Sequence, residues 1–497
     1  MPRYVLVNRR AGKYTAEAKE ASRAHVASAL ARLEGSVRVV ADKDPKDELA
    51  RRVVIFDADA SAVAKMQASL NPDTILEPLI RRSLHRRRPL GVSRALSAAG
   101  GGGTPYQVRI TAGGRALAGI QVMFYFSGSG TQVQTVNTDD NGIATASVPA
   151  GSQVSFVEPI PDSGFWIMLV EAPPSGSTID CLPIAKAGPG GAGWWHTAMK
   201  VDVTNAARGG GIKVGVIDTG CGPHPNLAHV TLAGVFVNGQ SLPANQATDV
   251  AQHGTHTSGI IGARPTQAGD YAGMAAGCDL FHARVFQSED EGPSQADLIN
   301  AIDALSRGQG CDLINMSLGG ASPSAAEEDC IQDAVERGTL CLCSAGNDAP
   351  DNPAIEYPAA YPECAAVAAI GLLGWAPAGT FSASNRPQDS SMMGGNNLFL
   401  AAFSCFGATL ACAAPGVGIV STVPDKGGAD LYMEMDGTSM ASPAACGVLA
   451  DILSQDANYN ALPRDASRTT AARNLLAQHC MPFGLPVKFE GRGLPEV

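Results

Sequence analysis

The sequence predicts an α/β chain in which residues 196–497 build a parallel central sheet covered by helices, preceded by a small α+β domain and a β-sandwich. Three observations predict it. Apolar runs without polar alternation (Lys213–Ile217, Leu313–Met316 and Thr339–Cys343) are separated by the helical stretches Ala296–Arg307 and Ala325–Arg337. Strands apolar on both faces with helices between them indicate a parallel sheet buried on both sides. Short alternating segments (Tyr106–Thr111, Gly119–Phe126, Gln132–Asn137 and Ile143–Val148), broken by turn signals such as Asp139-Asp140-Asn141-Gly142, show no helical period and predict an antiparallel sandwich. At the amino end, 3–7 and 52–56 read as strands, while 15–33 and 59–69 carry helical periodicity.

A chain of 497 residues has room for about three domains. Composition sets the outer limits: 45% apolar and 17% charged residues exclude a disordered chain or a coiled coil. No apolar run of about 18 residues is present, which excludes a transmembrane helix. The expected division is 1–80 for the α+β domain, 81–104 for a basic and then Gly-rich linker, 105–182 for the sandwich, 183–195 for a second linker and 196–497 for the α/β domain. Charge is unevenly shared. Residues 1–94 hold 19 Lys/Arg and 11 Asp/Glu, whereas the rest carries a net charge of −19. The two parts therefore attract each other, and an acidic body argues against nucleic-acid binding. The first ten residues lack the apolar core of a signal peptide, so synthesis in the cytoplasm is expected, with later export by another route left open. The twelve cysteines all lie at or beyond Cys181 and form neither a CxxC pair nor a Cys/His zinc pattern, so no metal site is predicted from them. Cys341 and Cys343 alternate in a strand-like run and read as small buried residues.

Three segments carry chemistry. Asp218 ends the apolar strand Val214-Gly-Val-Ile-Asp218, which puts a carboxylate at the carboxyl end of a parallel strand, where sites form in open sheets. His253 opens His253-Gly-Thr-His256, and Ser439 follows Gly437-Thr438 at the start of an apolar helix. A serine hydroxyl is a weak nucleophile near neutral pH. It needs an imidazole to take its proton, and the imidazole needs a carboxylate to fix its tautomer and stabilise its charge. Taken singly, each residue has a plainer reading: a helix cap for the aspartate or the serine, a turn residue for Asn347.

Taken in order, Val216-Ile-Asp218-Thr-Gly220, His224-Pro-Asn-Leu227, His253-Gly-Thr-His256, Asn315-Met-Ser-Leu-Gly319, Ser344-Ala-Gly-Asn347, Ala414-Pro-Gly416 and Gly437-Thr-Ser439-Met-Ala-Ser-Pro443 closely resemble the subtilisin family of serine proteases. The resemblance spans about 300 residues and implies a serine endopeptidase working through an acyl-enzyme. It implies Ser439 as nucleophile, His253 as general base and then acid, Asp218 as its partner, and Asn347 as an oxyanion donor beside the backbone N–H of Ser439. His256 is expected to be structural. Ser317, Leu318 and Gly319 are expected to offer a strand edge to an extended peptide. The competing reading is a catalytically silent peptide-binding protein of the same fold.

The segment Ile355-Glu356-Tyr357-Pro358 resembles the family segment that lines the pocket for the residue before the scissile bond. Where many relatives have Gly, this chain has Glu356, which implies a preference for Lys or Arg there, reinforced by Ser288-Glu289-Asp290-Glu291. The alternative is a Glu356 that points to solvent and a pocket for large apolar residues. No cofactor is required by this chemistry. The stretch from His253 to Ala275 lacks a clear version of the loop that holds a structural calcium in many members, so calcium is unsupported there. Residues 382–402 look like an insertion. The first 80 residues resemble a subtilisin propeptide inhibitor through Val53-Val-Ile-Phe, Ala60–Ser69 and Asn71-Pro-Asp-Thr-Ile-Leu-Glu77-Pro78. That resemblance implies a latent precursor whose own amino-terminal domain is an intramolecular inhibitor, with the basic stretch 81–88 as a self-processing site. The sandwich resembles bacterial immunoglobulin-like modules. The remaining partner is a protein or peptide substrate, and neither nucleic acid nor membrane is expected.

Overall fold

The computed structural model describes residues 1–13, 15–32, 37–43, 51–84, 97–98, 103–128, 132–427 and 430–497. Its centre is a nine-stranded sheet. Lys213–Asp218 lies between Asp279–Arg284 and Leu313–Met316, and Leu340–Ser344 and Cys364–Leu372 follow in order. All of these neighbours pair in parallel, as do Thr231–Val237 with Asp279–Arg284 and Leu410–Pro415 with Cys364–Leu372. Only the short strands Gln240–Leu242 and Leu398–Leu400 run antiparallel, at the edges. The second of these lies within the stretch 382–402, which therefore adds an edge strand against Ile370–Leu372. The strands read as continuous apolar runs because helices cover both faces. Gln295–Asp303 begins at the capping box Ser294/Asp297, and Ala325–Val335 begins at Ser324, whose hydroxyl accepts from the Glu327 N–H.

At the amino end, Arg38–Lys43, Val53–Asp57, Arg3–Asn8 and Thr74–Pro78 form an antiparallel sheet in that order, with helices Ala16–Ala31 and Ala60–Ser69. Side-chain alternation divides the sheet. Leu6, Val54, Phe56 and Leu76 face the two helices, with Val26, Ala29 and Met66. Val5, Val7, Val53, Ile55 and Ile75 join the core of the α/β body instead. The junction also carries buried charge. Arg51 meets Asp329 at 2.5 Å and Asp333 at 3.5 Å, and Arg10 lies 3.8 Å from Asp333. Glu77 caps the Ala325–Val335 helix by accepting from the Ala325 N–H at 2.9 Å and from the Ser324 hydroxyl.

Residues 79–84 then cross the body as an extended strand. The Arg82 N–H donates to the Pro293 carbonyl (2.8 Å), and Ser83 and Gly319 exchange two hydrogen bonds (3.0 and 3.1 Å). Part of the expected linker is thus seated on the body. The stretch expected to be processed lies outside the described residues from residue 85 on, as does most of the glycine run.

Residues 104–180 form two sheets. In one, Thr104–Ala112 lies between Ile143–Val148 and Thr178–Asp180; in the other, Gln153–Ile160, Gln121–Ser127 and Gln132–Asn137 are neighbours. Val108, Ile110, Val122, Phe124, Phe126, Ala144 and Val157 fill the space between them. The segment that follows Gln153–Ile160, still within this unit, is built into the α/β body. Ile167 is buried with Phe381, Val423 and Met433, its N–H donates to Glu434 (2.9 Å), and the Phe381 N–H donates to its carbonyl (2.8 Å). Trp166 meets Trp375 edge-on at 6.5 Å.

Candidate active site

Register brings the predicted residues to one end of the sheet. Ile217 pairs with Met316, so Asp218 and Ser317 leave adjacent strand ends side by side. The turn after Asp218 needs Gly220, which has φ +118° and backs onto Thr248 so closely that a Cβ would sit 2.4 Å from its carbonyl oxygen. His253 starts the helix His253–Gly262, entered through Gln252 in the left-handed region (φ 67°). Gly254 follows because a Cβ there would lie 2.1 Å from the Gly220 oxygen.

His253 Nδ1 lies 2.8 and 3.0 Å from the two Asp218 oxygens. Asp218 also accepts from the Thr219 N–H (2.7 Å) and the Thr257 hydroxyl (3.0 Å). Burial alone would push the Asp218 carboxyl up, but the charge and hydrogen bond of His253, with His282 behind, hold it below its ordinary range. Burial pushes His253 down, and Asp218 outweighs it; with Asp249 and Glu289 adding negative charge, the imidazole titrates above its ordinary value.

Ser439 is buried (2% exposed) in the first turn of the helix Thr438–Gln455. Its N–H is among those that have no partner within the helix, at the positive end of the helix dipole. Pro443, four residues on, has no N–H for the Ser439 carbonyl. The Ser317 hydroxyl takes that place, donating to it at 2.8 Å, and is itself held by Asn315 Nδ2 (3.0 Å), whose oxygen accepts from Ser442 (2.7 Å). The Ser439 hydroxyl donates to the Ser317 carbonyl at 3.4 Å. Among the described residues no hydrogen bond joins it to His253.

The Asn347 carboxamide oxygen accepts from the Thr438 N–H (3.0 Å) and hydroxyl (2.8 Å), which fixes which end of the carboxamide faces the helix start. Glu356 is 7% exposed and packs behind Gly346, where an added Cβ would lie 3.1 Å from its side chain. Gly320, the residue after Ser317-Leu318-Gly319, bridges to Tyr357.

Sequence reasoning missed two residues here. Asp249 accepts from the Thr219 hydroxyl (2.7 Å) and from the Thr255 N–H (2.7 Å) and hydroxyl (2.6 Å), tying the strand end to the helix start. The spacing of an acid four residues before His253 is its only signal. His282, buried on the strand next to Asp218, accepts from the Gly220 N–H (3.2 Å) and meets the Ser258 hydroxyl (2.9 Å); burial holds it down to about 4, so it stays neutral. No sequence signal marks it. His256, held down to about 3 by burial, bridges the Ile419 and Met433 carbonyls at 3.1 and 3.0 Å.

No group of three or more His, Cys, Asp or Glu suited to a metal occurs among the described residues. The loop after His253–Gly262 does not fit a cation. Arg264 donates to the Ala276 (2.7 Å) and Cys278 (3.2 Å) carbonyls, and Asp270 accepts from the Thr266 and Gln267 N–H groups.

Residues 209–480 match the model of the subtilase family. The chain is 33% identical over 281 residues to subtilisin DY of Bacillus licheniformis, covering 56% of this chain and 90% of that protein. It is 30% identical over 291 residues to the major intracellular serine protease of Bacillus subtilis (strain 168), covering 58% and 81%. With subtilisin amylosacchariticus of Bacillus subtilis subsp. amylosacchariticus it shares 35% identity over 268 residues, covering 53% and 61%.

Proposed function

Because the chain belongs to the subtilase family and is a subtilisin-like serine endopeptidase, we propose that Ser439, His253 and Asp218 carry out its chemistry. The observation that carries this reading is the 2.8 Å contact between His253 and a buried Asp218 beside the strand end that holds Ser439. The Ser439 hydroxyl turns from the Ser317 carbonyl to His253 Nε2, gives up its proton and attacks the substrate carbonyl. Asp218 keeps the Nδ1–H tautomer and stabilises the imidazolium. Asn347 NH2 and the Ser439 N–H receive the oxyanion. Proton return to the leaving amine gives the acyl-enzyme, and water repeats the sequence to release the acid. Leu318 and Gly319 pair with the extended peptide, and Glu356 favours Lys or Arg before the scissile bond.

Residues 1–80 act, in this reading, as a propeptide-like inhibitor of a latent precursor. The seating of 79–84 on Gly319 and the buried ion pairs of Arg51 support it. Processing within the basic stretch 81–88 releases that domain, while the immunoglobulin-like module of 105–182 stays with the catalytic domain through Ile167 and Trp166.

A fluorophosphonate probe tests the chemistry. The processed protein is expected to gain one probe mass on Ser439, and Ser439→Ala to gain none and to remain full length. Labelling elsewhere, or equal processing of both chains, would remove the assignment. Paired peptides with Arg or Leu before the scissile bond test Glu356, and a clear Leu preference would refute its role.

A further inference from the structure

Arg82 presents an unusual arrangement. Its guanidinium is wholly buried, yet every hydrogen-bond partner it has among the described residues belongs to the α/β body: Nη2 donates to Glu327 Oε2 (2.5 Å), and Nη1 donates to the Ser322 (2.7 Å) and Gly320 (3.5 Å) carbonyls. Glu327 is equally buried, and its Oε1 has no hydrogen-bond partner among the described residues. Its neighbour Arg81 differs, meeting Glu291 at the surface with both side chains about two-fifths exposed. The hydrogen-bond partners of the Arg82 guanidinium among the described residues are all acceptors, a carboxylate and two carbonyls, and none of them lies in the segment 79–84. A dry carboxylate left without a cation is strongly unfavourable.

Register relates this pocket to Ser439. Ser83 lies opposite Gly319 in antiparallel pairing. A peptide laid in the same register therefore sets the residue two positions beyond that of Ser83 opposite Ser317, whose carbonyl meets the Ser439 hydroxyl. The place of Arg82 is three residues before that one, and thus the fourth residue back from the scissile bond.

We propose that Glu327, with the Gly320 and Ser322 carbonyls, is a specificity site that selects arginine four residues before the bond to be cut. The proposal rests on the endopeptidase reading and adds to it a second basic requirement, separate from Glu356. Arginine outranks lysine there, because its planar fork reaches carboxylate and carbonyls together while an ammonium reaches fewer of them. Leucine leaves all three acceptors unpaired, and glutamate adds like charge. The same pocket holds the chain's own Arg82 before processing, so segment and substrate compete for one site.

The test uses fluorogenic peptides that differ only at the fourth residue before the cleaved bond (Arg, Lys, Leu or Glu), with the processed wild-type protein. The expected order is Arg, Lys, Leu, Glu, with kcat/KM for Arg above Leu by about a hundredfold. Glu327→Gln is expected to bring that ratio to within a few fold. A wild type that cuts the Leu peptide as well as the Arg peptide, or a Glu327→Gln protein that keeps the full ratio, would overturn the proposal. A second measurement needs no cleavage. In full-length Ser439→Ala protein, Arg82→Met and Glu327→Gln are combined singly and together, and thermal midpoints are compared. Non-additive shifts are expected, and strictly additive ones overturn the pairing. Intact coupling with no probe labelling of Ser439 would overturn the proposal through the endopeptidase reading, a failure distinct from that of the pocket.

Discussion

Ser317 and Ser439 hydrogen-bond to each other in both directions: the Ser317 hydroxyl donates to the Ser439 carbonyl at 2.8 Å, and the Ser439 hydroxyl donates to the Ser317 carbonyl at 3.4 Å. The first bond exists because Pro443 leaves a carbonyl without its helical donor. A strand end and a helix start are thereby locked together at the proposed nucleophile.

Replacing Ser317 with Ala leaves the Ser439 carbonyl buried and unpaired, and releases Asn315 Nδ2 as well. The expected loss is about 1–3 kcal/mol. A thermal midpoint clearly below that of an exposed Ser→Ala control, such as Ser390→Ala, checks it, and equal midpoints would show that the bond contributes nothing.

The Asp218 and Asn347 contributions separate by magnitude. Asp218→Asn presents the imidazole with the wrong partner, and kcat is expected to fall by about 10⁴-fold. Asn347→Ala removes one oxyanion donor, for a fall of about 10²–10³-fold. In both, KM should change far less than kcat. Steady-state kinetics on one peptide decides.

The pH dependence follows from His253. Its folded-state pKa is raised by Asp218, Asp249 and Glu289, and the base must be neutral to accept a proton. Activity is therefore lost as pH falls through a value above the ordinary histidine pKa of about 6.5. Glu289→Gln removes one of the negative charges, so the acid limb of kcat/KM should move to lower pH. A limb that stays put or rises would contradict the assignment.

The amino-terminal unit is held by charge without water. Arg51→Ala takes the guanidinium from the buried Asp329, while Asp333 keeps Arg337 (2.6 Å) and Arg10 (3.8 Å), a change expected to cost about 3 kcal/mol. In the Ser439→Ala background, residues 1–80 should then be digested by added trypsin much faster than in the parent, while the α/β body persists. Unchanged digestion would mean that the apolar contacts of Val5, Val7 and Ile55 suffice.

In the loop after His253–Gly262, Arg264 donates to the Ala276 and Cys278 carbonyls and sets its own positive charge there. A chelator is therefore expected to leave the thermal midpoint unchanged, and a marked fall would locate a metal site elsewhere.

What could be read in advance divides by distance along the chain. Asp218, His253 and Ser439 each sit in a short motif whose neighbours have local reasons, such as Gly220 and Gly254 at close backbone approaches, so they were legible. The alternation of 53–56 was not, because both faces of that sheet are covered and the run reads as uniformly apolar. Arg82 read as one of five arginines in a polar stretch, since its partner lies 245 residues away. Asp249 and His282 act through hydrogen bonds that form only when three separate strand and helix ends meet. Strand Leu398–Leu400 leaves no mark in the sequence, because three residues carry no period.

All twelve cysteines are buried and unbridged. Assembly of this chain therefore calls for no electron acceptor, and every thiol is buried once the fold has closed. A thiol-reactive dye added to the intact molecule should find nothing until the body opens, which makes the cysteines a native clock for the lifetime of the folded state.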